Sequence, residues 1–158
     1  GLTGWRVRWL VLPPDLVEPV ERLAQNLFIS APALAQHAAL AALAHKDLFV
    51  ERRETYARNW RTLARGLEAG GVAREAIVPA DGAFYLYADL GAFTTDSTEL
   101  CARLLDETGV AAVPGVDFDA GRGHRFARFS VAGAPDEVAA AAAKLAAWLP
   151  AQRRNRGD

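Results

Sequence analysis

Apolar and polar positions alternate with a period of two at the start of the chain. Trp5, Val7, Trp9 and Val11 fall on one side, and Arg6, Arg8 and Leu10 on the other, which is the pattern of a β-strand. Thr3-Gly4 before it predicts a turn, so Arg6 is expected at a loop–strand junction. Pro13-Pro14 ends the extended run. Leu16, Val20, Leu23 and Leu27 then recur at helical spacing, predicting an amphipathic helix over residues 14–27. Ser30-Ala31-Pro32 restarts a second helix, with Leu34, Ala38, Ala41 and Ala44 expected along one face. From Asp47 the pattern becomes a long charged helix with the apolar stripe Phe49, Tyr56, Trp60, Leu63 and Leu67, closed by Gly70-Gly71 in a left-handed cap.

Beyond residue 70 strand and helix signals mix. Pro79-Ala80-Asp81-Gly82 is a turn, and residues 83–90 read as a strand with Phe84, Leu86 and Ala88 opposite Tyr85 and Tyr87. Asp96 followed by Glu99 predicts a helix start of capping-box type, and Leu100, Leu104 and Leu105 mark that helix up to Gly109. A short strand is expected over Val110–Val113, stopped by Pro114-Gly115. The glycine-punctuated loop 115–124 leads to a last strand, with Ala127, Phe129 and Val131 on one face and Phe126, Arg128 and Ser130 on the other. A final helix starts at Pro135 with the stripe Val138, Ala142, Leu145 and Leu149, and residues 151–158 predict a frayed tail. The shift from alanine-rich helices to mixed helix and strand puts the natural domain boundary near residues 46–70.

Composition narrows the class. With 158 residues, 51% apolar and 23% charged, the chain is long enough for one ordinary soluble core. A net charge of −1 argues against a general nucleic-acid binder. No run approaches a membrane span, and no charged start leads into an apolar signal segment. One cysteine, Cys101, excludes a disulfide framework and a thiolate metal cluster, and a cytoplasmic location fits best. His37, His45 and His124 lack ligand spacing, so no metal is expected. The chain contains no methionine, which fits a piece of a longer reading frame.

Two arginines stand out. Arg6 could present a planar fork of N–H donors to a phosphate, and Arg128, mid-strand among apolar neighbours, requires an anionic partner or solvent. The segment Thr3-Gly4-Trp5-Arg6 resembles the corresponding stretch of class I/II aminotransferases, the fold-type I enzymes that use pyridoxal 5'-phosphate. Pro79, Gly82, Phe84 and Tyr85 are similar to that family's Pro-x-x-Gly-x-Phe-Tyr strand. Val113-Pro114-Gly115, Phe118, Gly121, Gly123 and Arg128-Phe129-Ser130 resemble the stretch that ends in its carboxylate-binding arginine.

The resemblance implies an α/β fold, the C-terminal portion of the fold-type I transferase fold. Residues 1–46 would end the cofactor-binding large domain, 47–70 would connect, 71–150 would form a small domain, and 151–158 a tail. It implies Arg6 as the cofactor-phosphate anchor and Arg128 as the clamp for the substrate α-carboxylate. The Schiff-base lysine of the family would precede Gly1, leaving no catalytic residue within the chain, and neither Lys46 nor Lys144 has a motif that would replace it. The implied substrates are an α-amino acid and a 2-oxo acid, with a homodimer for the full-length enzyme and neither nucleic acid nor membrane as partner. A C–S lyase, or the cofactor-sensing domain of a transcription regulator, are the alternatives the same fold allows. The chain departs from the family pattern at Arg8, where a glycine is common.

Overall fold

The computed structural model describes residues 2–45 and 47–153. Gly1, Lys46 and the expected tail from Arg154 onward lie outside the described residues. The chain divides into two compact units, parting between Glu51 and Arg52.

The first unit is helical. Thr3–Trp5 forms a single 3-10 turn, followed by extended coil and then two α-helices, α1 (Pro14–Leu27) and α2 (Ala33–Ala44). The bounds of α1 agree with the helical spacing. The strand expected over residues 5–11 is absent, because no described strand lies beside it to take up its backbone groups, and alternation cannot substitute for a hydrogen-bonding neighbour. Both faces of that segment reach solvent, Trp9 at 70% and Val11 at 93% on one and Leu10 at 72% on the other, with Val7 half-buried. The apolar stripe of α1 is helical but uncovered, with Leu23 60% and Leu27 70% exposed. In α2 the more buried face runs through Ala35, Ala38, Ala39 and Ala42, while Leu34, Ala41 and Ala44 are exposed. A helix so uniformly alanine carries little information about which face turns inward.

The second unit holds the core. The long helix α3 (Leu48–Ala69) enters it from its second turn, followed by strand β1 (Tyr85–Asp89), helix α4 (Ser97–Thr108), strand β2 (Val113–Pro114), strand β3 (Phe126–Ser130) and helix α5 (Pro135–Trp148). The three strands form an antiparallel sheet in the order β1-β3-β2, with Tyr87 opposite Arg128 and Asp89 opposite Phe126. The period-2 reading of β1 and β3 holds. Leu86, Ala88, Ala127 and Phe129 are all 2% exposed or less on the inner face. They pack with Leu63 and Leu67 of α3, Leu100 and Leu104 of α4, and Val138, Ala142 and Leu145 of α5. Each fully buried leucine in such a core stabilises by roughly 1.5–3 kcal/mol.

Several local features differ from expectation. Asp96 does cap α4, its carboxylate accepting from the N–H groups of Thr98 and Glu99. The reciprocal half of the box is missing, because Thr94 Oγ1 already accepts the Asp96 N–H at 2.8 Å and Glu99 pairs with Arg103 at 3.6 Å. Leu105 is exposed, and β2 reaches only Val113–Pro114, since its pairing with β3 stops there. The residues expected to fray include Ala151 and Gln152, which close a 3-10 turn, with Arg103 donating to the Gln152 side chain. A tie with no local signal joins α3 to the end of β3: the buried Asn59 amide donates to the carbonyls of Val131 and Gly133, both at 3.0 Å.

Candidate substrate-carboxylate site

The sheet has helices on one face only. Its other face presents Tyr85, Tyr87 and Asp89 from β1 and Phe126, Arg128 and Ser130 from β3, half-buried or exposed. Alternation therefore puts Arg128 on the open side, as the spacing predicts. Its guanidinium carbon lies 4.2 Å from the ring centre of Tyr85 and 4.2 Å from that of Phe118. Both rings offer the negative face of a π-system to the cation. They engage the guanidinium without using its in-plane N–H donors, and those are the groups that match a carboxylate. Among the described residues no acid pairs with Arg128.

The loop carrying Phe118 is held by close backbone contact. A Cβ at Gly123 would sit 2.3 Å from the Gly115 carbonyl oxygen, and one at Gly115 would sit 2.6 Å from that of Gly123. Only glycine fits at either position. Asp119 pins the same loop, accepting from the N–H groups of Gly121 and Arg122 at 2.9 and 3.0 Å. Those backbone donors, the Arg122 one foremost, hold its carboxyl below the usual aspartate range.

Beside Arg128, Tyr87 stacks on Phe126 with ring centres 4.9 Å apart. Burial pushes its phenol above the ordinary tyrosine value, helped by the nearby Asp119 carboxylate. At the end of the two strands Arg125 grips Asp89 with two parallel bonds, Nε to Oδ1 at 2.7 Å and Nη2 to Oδ2 at 2.6 Å. The Gly91 N–H adds a third bond to Asp89 Oδ1 at 2.9 Å. The sequence offers no sign of this pair, because its members are 36 positions apart and meet only through the β1–β3 register.

Arg6 lies in the first unit. It caps the Thr3–Trp5 turn in the left-handed region at φ 54°, rather than opening a strand. Its guanidinium is exposed, with one long contact to the Thr3 carbonyl at 3.4 Å. Arg8 is exposed as well. Cys101 is buried inside α4, and burial lifts its thiol to about 11, so it is an inert filler of the core. No group of three or more His, Cys, Asp or Glu among the described residues is arranged to hold a metal ion. No described helix is long and apolar enough to cross a membrane.

A sheet backed by helices, with Arg128 between two aromatic rings on its open face and no ion pair to it among the described residues, defines an α/β domain with a candidate anion site. The fold matches solved aminotransferases. One from Mycobacterium tuberculosis superposes with a TM-score of 0.77 at 41% identity, over 95% of this chain and 39% of that one. Thermus thermophilus aspartate aminotransferase with maleate gives a TM-score of 0.71 at 34% identity, over 92% of this chain and 37% of that one.

The sequence profile of aminotransferase class I and II matches residues 1–145, and the chain belongs to that family. Its α/β architecture is part of the fold-type I transferase fold. Among characterised relatives, the valine–pyruvate aminotransferase of M. tuberculosis is 41% identical over 154 residues, 96% of this chain and 39% of the relative. The aspartate/prephenate aminotransferase of T. thermophilus is 36% identical over 124 residues, 76% of this chain and 31% of the relative. The chain thus spans about two-fifths or less of the length of the relatives it matches.

Proposed function

We propose that the chain is the C-terminal portion of a pyridoxal 5'-phosphate-dependent aminotransferase that moves an amino group between an α-amino acid and a 2-oxo acid. In this reading residues 1–46 complete the cofactor-binding domain, 47–70 connect, 71–150 form the small domain, and 151–158 trail from it. The observation that carries the reading is Arg128, a half-buried guanidinium with no acidic partner among the described residues, on the open sheet face of a chain from this family.

The cofactor, when bound, supplies the electron sink for the substrate Cα–H bond electrons. Arg128 fixes the substrate α-carboxylate by two parallel charge-assisted bonds, which orients Cα. Arg6 holds the cofactor phosphate. The donor chemistry of Arg6 suits this role, since its guanidinium is exposed and only one long contact engages it. Lys144 is not read as the reacting lysine: it lies on α5, which packs on the sheet face opposite Arg128, and its ammonium donates to the Thr108 carbonyl at 2.8 Å. The family's lysine is expected upstream of Gly1. The match to a valine–pyruvate enzyme favours an aliphatic amino acid as substrate. The exposed apolar side chains of the first unit support its burial against further protein, and the reading includes a homodimeric, cytoplasmic full-length enzyme.

The test is Arg128→Lys in the full-length enzyme. Losing one of the two bonds is expected to raise KM for both substrates on the order of 10-fold, the equivalent of about 1.4 kcal/mol. An unchanged KM would overturn the assignment.

A further inference from the structure

Asp89 and Arg128 project from the same face of the sheet. Asp89 is opposite Phe126, and Arg128 is two positions along the same strand, so the two are diagonal cross-strand neighbours. Such positions lie about 7–8 Å apart at Cα, within reach of a long side chain. Asp89 is therefore an anion on the sheet face that carries Arg128, whose ligand in the proposed reading is itself an anion. Left unpaired it would either draw the Arg128 guanidinium towards itself or repel an incoming carboxylate.

The structure shows both Asp89 oxygens engaged elsewhere, on Nε and Nη2 of Arg125 and on the Gly91 N–H. Gly91 is shaped to this arrangement, since a Cβ there would come within 2.7 Å of Arg125 Nε. The other acid near Tyr87, Asp119, is engaged chiefly by the backbone N–H groups of Gly121 and Arg122, with one longer contact to the Arg122 guanidinium at 3.4 Å. Both acids at this edge are thus bound by arginines of the loop leading into β3, while Arg128, three residues after Arg125, makes no ion pair with a described residue. Arg125 itself, its charge paired with that of Asp89, does not offer a second uncompensated cation.

We propose that Arg125 is a positioning residue that keeps Asp89 from competing with the substrate carboxylate for Arg128. This rests on the assignment of Arg128 as the carboxylate clamp. The charge balance, rather than the bond between the two strands, is what the site requires. Removing the cation alone exposes the acid, whereas removing both charges together restores a neutral wall. Asp89→Asn keeps an oxygen for the Gly91 N–H.

The experiment compares Arg125→Gln, the double variant Asp89→Asn/Arg125→Gln, and Arg128→Lys in the full-length holoenzyme, with KM and kcat measured for both amino acid and oxo acid. Arg125→Gln is expected to raise KM on the order of tenfold with kcat little changed, and the increase should shrink at high salt. The double variant is expected to return KM to within about twofold of the parent. A double variant as impaired as Arg125→Gln would overturn the proposal, because a purely structural tie is not rescued by losing its other half. An unaltered KM in Arg125→Gln, with KM raised in Arg128→Lys, would overturn it while leaving the clamp assignment standing. If Arg128→Lys itself has no effect, both fall. Should Arg125→Gln fold poorly, Arg125→Lys serves in its place. It retains a cation that can neutralise Asp89, and a tenfold rise in its KM would contradict the charge argument.

Discussion

In the proposed reading, Arg128 is a cation kept ready for a carboxylate without being neutralised by an acid. An acid beside it would fix its position but would also satisfy it. Two aromatic rings hold it through their quadrupoles and shield it from water, at about 0.5–2 kcal/mol each. Phe118→Leu keeps the bulk of the cover and loses the π-face. It is expected to raise the substrate KM about two- to fivefold through that loss, and an equal fall in kcat with KM unchanged would count against a positioning role. Asp119 supports the same loop by charge. Its carboxyl sits below the ordinary aspartate value, so the ionised form is favoured by folding. The stabilisation is complete above the unfolded-state value of about 3.9 and is lost as pH falls through the lower folded-state value. A carboxyl titration followed by NMR should place the Asp119 midpoint below that of an unstructured aspartate, and Asp119→Asn should abolish the acid-side loosening of residues 115–125. A midpoint at or above the ordinary value would contradict this.

At the level of elements, two devices set where helices begin and how closely they approach. The Asp96 cap satisfies two N–H groups at the start of α4, the helix that supplies Leu100 and Leu104 to the core. Asp96→Ala is expected to cost about 1 kcal/mol, lowering Tm by roughly 4–8 °C for a unit of this size. A shift under a degree would mean that Thr94 and solvent replace the cap. Gly66 lets α3 approach α5, since a Cβ there would lie 2.6 Å from the Ala142 carbonyl oxygen. The obstruction is backbone and cannot swing aside, so Gly66→Ala should destabilise by about 1–3 kcal/mol in spite of alanine's better helix propensity. A more stable variant would show that the helices part without loss.

The two units of the molecule differ in how completely they bury themselves. The second has a continuous core of buried side chains from all three helices and the sheet. In the first, Ala35 is the one apolar residue among those described that is 3% exposed or less, while Ile29 is 84% and Phe28 69% exposed. Apolar surface of that extent marks a place where further protein is expected. Hydrogen exchange on the isolated chain should therefore protect amides of α4, α5 and the sheet, and leave those of α1 and α2 exchanging rapidly. Comparable protection in both units would contradict this. Mixed with pyridoxal 5'-phosphate and reduced with borohydride, the isolated chain should yield no adduct on a single lysine. A specific one would remove the case for a lysine outside it.

Periodicity alone determined the two long helical stripes that fill the core, the inward set of β1 and β3, and therefore the outward placement of Arg128. These depend on spacings of two or 3.6 residues, which a linear chain displays directly. The resemblance carried by short stretches around Arg6 and Arg128 indicated the family. Tertiary structure decided what spacing cannot carry. The segment at residues 5–11 alternates like a strand yet has no neighbour to pair with, and α2 is too uniform in alanine to declare its buried face. Tyr85 and Phe118 close on Arg128, and Arg125 on Asp89, only because register and loop geometry bring distant positions together. Those contacts are pairwise, and for Tyr85 with Arg128 and Asp89 with Arg125 no short window of the sequence contains both partners.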